Sequence, residues 1–491
     1  MISHIEEIPI TPASYPFSSA ERYCELSKRG YVEREYYIQG TANVYRSISN
    51  GPLVEIRTSD APYINRCIVR TPTDPGAASG NVVVEIINPT SFMEIERMWI
   101  LGHREFLRSG DIYVGITSKP NTIAKLIEFD GKRYGRLSWA NPTPDVPFTF
   151  DPDELIRSGV AQPDLDPRYE TGLFWDMLID LARVLRSDAP QNPIRDFRRD
   201  LICLSGWSQS GSYLLRYINS FAEMADSGPE GQVFDAYLAG GAVHSLVVPV
   251  NQYESGRSYA PELRRVERCR QPLIAVQTES ENGRMQGWRT YIDDSDRSDF
   301  RYRCYEVAGA SHDTRYTYVD YYRDDEDLKR IDHLPAYTGK HAHPNDYPSE
   351  ILIAAAFRNL FRWVRTGAGP TRCPRIPVDA YGENIRDAFG NSIGGLRTCL
   401  LDYPCARFCN TSRVEIGQGT VDKNSTVDGL FGHREPFSQN MLIELYGTLD
   451  HYRELCEQST REQVSRGFVC KEDADALVEA AVRAAVAGGL V

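Results

Sequence analysis

Leu201-Ile202-Cys203-Leu204-Ser205-Gly206-Trp207-Ser208-Gln209-Ser210-Gly211 runs from an apolar stretch into a cluster of small residues, and Gln209 to Phe221 then reads as a helix. A buried strand that turns sharply into a helix is the setting in which a serine can stand exposed on a strained turn and act as a nucleophile. The residues two places before and after that serine must be small, because the strand and helix backbones approach closely there. Gly206 and Ser210 meet this requirement, with Gly211 one step further on. Such a turn also puts the Gln209 N–H at a helix N-terminus, where it can stabilise negative charge developing on a carbonyl oxygen.

On either side of this stretch, short apolar runs alternate with helical ones. Asn81–Ile87, Asp111–Ile116, Leu201–Leu204, Ala236–Ala239, Pro272–Gln277 and Arg303–Val307 read as strands. Met93–Ser109, stopped by Gly110, reads as a helix, as do Gly172–Leu185 and Ser349–Arg365. Strand alternating with helix implies a mostly parallel sheet flanked by helices, and nearly continuous apolar runs suit strands buried on both faces. Residues 1–70 alternate in places, as in Val54-Glu55-Ile56, and read as an antiparallel β region packed on the core. The core is expected over 71–370, with a polar, Pro-containing surface excursion at about 120–170. Residues 371–491 form an extension of the same unit, irregular and then helical from about Ser438. The expected fold class is α/β, of the α/β-hydrolase type.

A serine hydroxyl needs a base, and in this architecture the order along the chain is Ser, acid, His. His244, His312, His333, His341, His343, His433 and His451 follow Ser208. His312 alone comes just after a late core strand, in Val307-Ala308-Gly309-Ala310-Ser311-His312. His244 precedes every plausible acid, and His341 and His343 sit in a polar loop read as solvated surface. The acid is expected after the preceding strand, where Thr278-Glu279-Ser280-Glu281 offers two carboxylates. Glu281 is favoured and Glu279 stays open. The second oxyanion donor is expected in Asn88-Pro89-Thr90-Ser91; Pro89 has no N–H, which leaves Thr90 or Ser91.

Composition narrows the class. The chain is 41% hydrophobic and 25% charged, which is ordinary for a globular protein. Its net charge of -13 repels phosphate backbones and argues against nucleic acid as a partner. The N-terminus lacks a basic region followed by an apolar one, and no apolar stretch is long enough to span a membrane, so cytoplasmic residence is expected. Eleven cysteines are scattered without a CxxC pair; Cys399, Cys405 and Cys409 are their closest cluster, and free thiols are the expected reading. No phosphate loop, HExxH or dinucleotide fingerprint is present, so no cofactor and no metal site are expected.

The stretch around Ser208 resembles the α/β hydrolase domain-containing proteins with a GWSQSG-type elbow. The similarity continues through Val83-Val84-Glu85, Asn88-Pro89, Gly110–Ser118, Trp175-Asp176, Thr278–Glu281 and Glu306–His312. It reaches Asp387–Asn391, Gly394–Arg397, Tyr446 and Gly467-Phe468-Val469, and so spans roughly residue 50 to the end. The resemblance implies a serine hydrolase whose C-terminal part belongs to the same unit. The family usually has Asp where this chain has Glu281, a departure that bears on which carboxylate serves. The expected chemistry is hydrolysis of a small-molecule carboxylic ester or lactone through an acyl-enzyme on Ser208. Acyl transfer or a lyase-like reaction at the same groups, and a non-catalytic binding protein on this fold, are the alternatives. The aromatic run Tyr316–Tyr322 is a candidate pocket wall, with ordinary packing as the alternative, and the C-terminal extension is a candidate lid.

Overall fold

The apolar runs pair into one ten-stranded sheet. In the computed structural model its strands are β1 (Ile2–Ile8), β2 (Tyr31–Ser47), β3 (Val54–Pro72), β4 (Asn81–Ile86), β5 (Ile112–Ile116), β6 (Leu201–Trp207), β7 (Ala236–Gly240), β8 (Cys269–Thr278), β9 (Ser295–Arg297) and β10 (Phe300–Val307). The structure describes residues 1–147, 166–242, 247–254, 263, 265–282, 292–323, 325–334, 341–412 and 430–491. His244 and residues 148–165 of the surface excursion lie outside them.

The strand order is β1-β2-β3-β5-β4-β6-β7-β8-β10-β9. From β5 across to β10 every neighbouring pair is parallel. The N-terminal β region extends the same sheet, because β3 pairs antiparallel with β5 through Cys67↔Ile116 to Arg70↔Tyr113. β4, β5 and β7 are buried at every position, as expected of strands covered on both faces.

Six helices of twelve residues or more are described: α1 (Arg97–Ser109), α2 (Phe174–Arg186), α3 (Gln209–Ser220), α4 (Ser349–Thr366), α5 (Leu449–Arg466) and α6 (Ala474–Ala487). α3 packs on β4, β6 and β7, α1 and α4 pack on each other, and α4 also lies against β7 and β8. α1 starts four residues later than the apolar periodicity predicts. The reason is a tertiary cap: the Glu85 side chain of β4 accepts from the Met98 and Trp99 N–H groups at 2.8 and 2.9 Å, and Asn88 and Ile95 bond each other's backbone, which keeps the chain before Arg97 out of the helix. Burial, offset in part by these bonds, pushes Glu85 up to about 8.

The C-terminal extension is tied to the core at several points. Leu396 N–H donates to Glu306 O at 2.6 Å and its carbonyl accepts from Ala308 N–H, which adds a parallel bridge beside the end of β10. A small hairpin, β11 (Ala406–Cys409) with β12 (His433–Pro436), follows. Arg108 pairs with Asp473 at 2.6 Å and Arg358 with Glu472 at 2.8 Å, which docks the helical end on α1 and α4. Among the described residues no helix is long and apolar enough to cross a membrane.

Candidate active site

Ser208 stands between β6 and α3 with φ 59 and ψ -122. This is a strained conformation for a residue with a side chain, and it persists only where the surroundings enforce it. The enforcement is visible in the neighbours. A methyl at Gly206 would lie 2.6 Å from the Ser210 carbonyl, and one at Gly211 2.8 Å from that of Gly240. Ser210 fits between them because its hydroxyl bonds back within the turn, accepting from Trp207 N–H at 3.0 Å and donating to Trp207 O at 2.9 Å. The Ser208 N–H is held by Gly240 O at 2.8 Å. Ser208 and Gln209 are half-buried while the turn beneath them is fully buried.

The loop after β4 closes over the elbow. Asn88 donates from its side chain to Trp207 O at 2.7 Å, which clamps the loop to the strand that carries the serine. The same side chain accepts from Thr90 N–H at 2.8 Å. The Thr90 amide is therefore engaged inside its own loop, and of the two donors read from sequence only the Ser91 N–H stays a candidate for an incoming oxygen. Sequence reasoning passed over Asn88, whose only signal there is its place before Pro89.

The candidate acid and base come from the ends of β8 and β10. Neighbouring strands lie about 4.8 Å apart, so the three spacings from β6 to β10 amount to roughly 14 Å. A base on β10 can reach the elbow only from a loop that folds back across the strand ends. The loop does so: the rings of His312 and Trp207 lie 5.7 Å apart between centroids. His312 Nδ1 meets Glu281 Oε1 at 2.5 Å. An ionised carboxylate only accepts, so Nδ1 carries the proton and Nε2 is left with its lone pair. The other Glu281 oxygen accepts from the N–H and hydroxyl of Thr278 at 2.6 and 2.7 Å. Burial by itself favours a neutral ring, but the Glu281 charge and hydrogen bond outweigh it. Asp313 adds to the rise and Arg97 opposes it, and the net effect holds His312 above the ordinary imidazole value.

Glu279 points elsewhere. One oxygen accepts from Gly309 N–H at 2.7 Å and the other pairs with Arg386 at 3.0 Å. It holds the loop that carries His312 without touching the ring's Nδ1. Ser280, between the two carboxylates, accepts from His312 N–H at 3.0 Å and donates to Asn410 O at 2.7 Å. Arg97, at the start of α1, pairs with Asp313 at 2.6 Å and donates to Thr317 O at 3.0 Å. Ser280 and Arg97 carry no signal in the sequence.

The aromatic run makes packing contacts. Tyr316 donates to Ile100 O at 3.3 Å, Tyr318 meets Phe431 edge-on at 4.8 Å, and Tyr321 and Tyr322 pack on Tyr23. The extension reaches the His312 loop through Leu430 O, which accepts from Asp313 N–H. It therefore braces that loop in its described part, and residues 413–429 lie outside the described residues.

A family model described as "Alpha/beta hydrolase domain" matches residues 5–479. A search of curated proteins found no match. Among solved structures the chain is similar to an alpha-beta serine hydrolase homologue from Coxiella burnetii, at 12% identity over 50% of this chain and 83% of that one, with a TM-score of 0.26. It is also similar to acetyl xylan esterase 1 from Thermoanaerobacterium sp. JW/SL YS485, at 9% identity, 62% and 80% coverage and a TM-score of 0.30. A third is the siderophore hydrolase EstA from Aspergillus nidulans, at 14% identity, 55% and 74% coverage and a TM-score of 0.27.

Proposed function

This chain belongs to the α/β hydrolase domain family, and from that premise we propose that it is a serine hydrolase that cleaves a small-molecule carboxylic ester or lactone through an acyl-enzyme on Ser208. The observation that carries the reading is a serine at φ 59 on a strand-to-helix turn whose Trp207 lies 5.7 Å, ring to ring, from a histidine bonded through Nδ1 to a buried carboxylate at 2.5 Å. In this reading His312 Nε2 takes the Ser208 proton as Oγ attacks the carbonyl carbon. The tetrahedral oxyanion is met by the Gln209 N–H and the Ser91 N–H, where fixed dipoles oppose the developing charge. The imidazolium, stabilised by Glu281, returns its proton to the leaving alcohol, and water repeats the sequence on the acyl-enzyme.

A fluorophosphonate probe tests this without knowledge of the substrate. One adduct is expected, on the peptide containing Ser208, absent in Ser208→Ala and accompanied by loss of p-nitrophenyl ester turnover. Labelling at another serine, or ester turnover that survives the substitution, overturns the assignment. Product analysis with an added alcohol acceptor separates hydrolysis from acyl transfer.

A further inference from the structure

We propose that Cys409, His433 and Glu435 form a binding site for a divalent transition-metal ion of the zinc type, distinct from the Ser208 site. The sequence expects no metal, and its only cysteine cluster does not supply this one. Of Cys399, Cys405 and Cys409, only Cys409 joins the group, and its partners come from a different part of the chain.

Hairpin geometry brings them together. β11 and β12 pair antiparallel with Cys409 opposite His433, and directly opposed residues share a face of the sheet. Glu435 lies two residues beyond His433 and so on the same face. The ligand atoms of all three lie within 4.8 Å of one another, with Cys409 and His433 buried and Glu435 exposed. A tetrahedral ion spaces its ligand atoms by roughly 3.3–3.8 Å. His433 Nε2 and Glu435 Oε1 already stand 3.6 Å apart, and the exposed Glu435 has the freedom to close any wider gap.

The surroundings are those of a prepared imidazole ligand. His433 Nδ1 lies 3.2 Å from Ser412 Oγ, which leaves Nε2 facing Glu435. A metal-ligating histidine characteristically has its second ring nitrogen held in this way. The half-buried His341 ring stacks on His433 at 3.5 Å and 5° and shields its face, a contact its polar loop does not signal. On binding, Cys409 loses its proton to solvent, and one thiolate with one carboxylate balances the charge of the ion. Arg407, 3.4 Å from the other Glu435 oxygen, orients that carboxylate.

With water in the fourth position, the ion would brace the hairpin. Asn410 O accepts from Ser280, Leu430 O accepts from Asp313 N–H, and Asn345 bridges Gly309 O and Cys409 O at 2.8 and 3.3 Å. An ion joining Cys409 to His433 would fasten the hairpin that holds both the acid loop and the His312 loop.

The test uses the full chain, reduced, stripped with chelator and titrated with Co2+ and Zn2+. One ion per chain is expected, with an intense near-ultraviolet thiolate-to-Co2+ charge-transfer band and a higher melting temperature in the Zn2+-loaded protein. Cys409→Ser should abolish the band. Glu435→Gln, at an exposed position, should fold normally by circular dichroism and weaken Zn2+ binding by at least about tenfold. Absence of stoichiometric binding to the wild type overturns the proposal, as does wild-type binding by both variants.

Discussion

The elbow around Ser208 and the paired loops that carry Glu281 and His312 are built in opposite ways. The elbow is local. Its strain is imposed within Gly206–Gly211 by close backbone approach, with outside contacts at Gly240 and Asn88. The loops are held from a distance. Glu279 ties to Gly309 and Arg386, Ser280 to His312 and Asn410, Glu306 to Leu396, and Asp313 to Arg97 and Leu430. The Ser208 turn is fixed mainly by its own chain geometry, whereas the loops of Glu281 and His312 also take contacts from the C-terminal extension through Arg386, Asn410, Leu396 and Leu430.

Substitutions can break this comparison. The largest effect is expected for Ser208→Ala, with kcat down by about 10^4-fold or more and little change in melting temperature, since only a half-buried hydroxyl is lost. Glu281→Gln should lower kcat by roughly 10^2–10^4-fold, because the amide can hold the wrong imidazole tautomer and no longer stabilises the imidazolium. Glu279→Gln should do the reverse, lowering stability by about 1–3 kcal/mol through loss of the buried charge facing Arg386, with kcat changed by less than about tenfold. A urea unfolding curve and ester kinetics on the two Gln variants would measure the contrast. Equal loss of activity in both would mean that the carboxylates share the role.

Ser280→Ala sharpens the point further. It removes the link from the His312 loop to Asn410 and should cost about 1–2 kcal/mol, with a moderate fall in kcat. The smallest expected effect is on pH dependence. The base works when neutral, and His312 is held above the ordinary imidazole value, so kcat/KM should rise with pH through a midpoint above that value. Glu281→Gln removes the main raising influence and should move the midpoint down. A midpoint unmoved by that change would disconnect Glu281 from the base.

The parallel strands were legible because burial on both faces demands unbroken apolar runs, and each observed strand from β4 to β8, and β10, contains the run read from sequence, within a few residues at its ends. The start of α1 was not legible, since it depends on Glu85 reaching from another strand to cap Met98 and Trp99. The two carboxylates of Thr278-Glu279-Ser280-Glu281 differ by one turn of direction that neither composition nor spacing encodes; what separates them is that one faces His312 and the other faces Gly309 and Arg386. Thr90 looked as good a donor as Ser91 until the Asn88 side chain was seen to engage its amide.

The sequence by itself determined the class of fold, the serine on its turn and the histidine after the last parallel strand, because each is written in neighbouring residues: apolar runs, small residues around a tight turn, and order along the chain. Only the tertiary structure decided which carboxylate meets the imidazole, that Asn88 engages the Thr90 amide, and that Cys409, His433 and Glu435 converge on one face of a hairpin. Glu281 and His312 lie 31 positions apart, and Cys409 and His433 sit on opposite strands of a hairpin, so no local pattern carries those two outcomes; the Asn88–Thr90 bond is local but depends on the direction the Asn88 side chain takes in the folded loop.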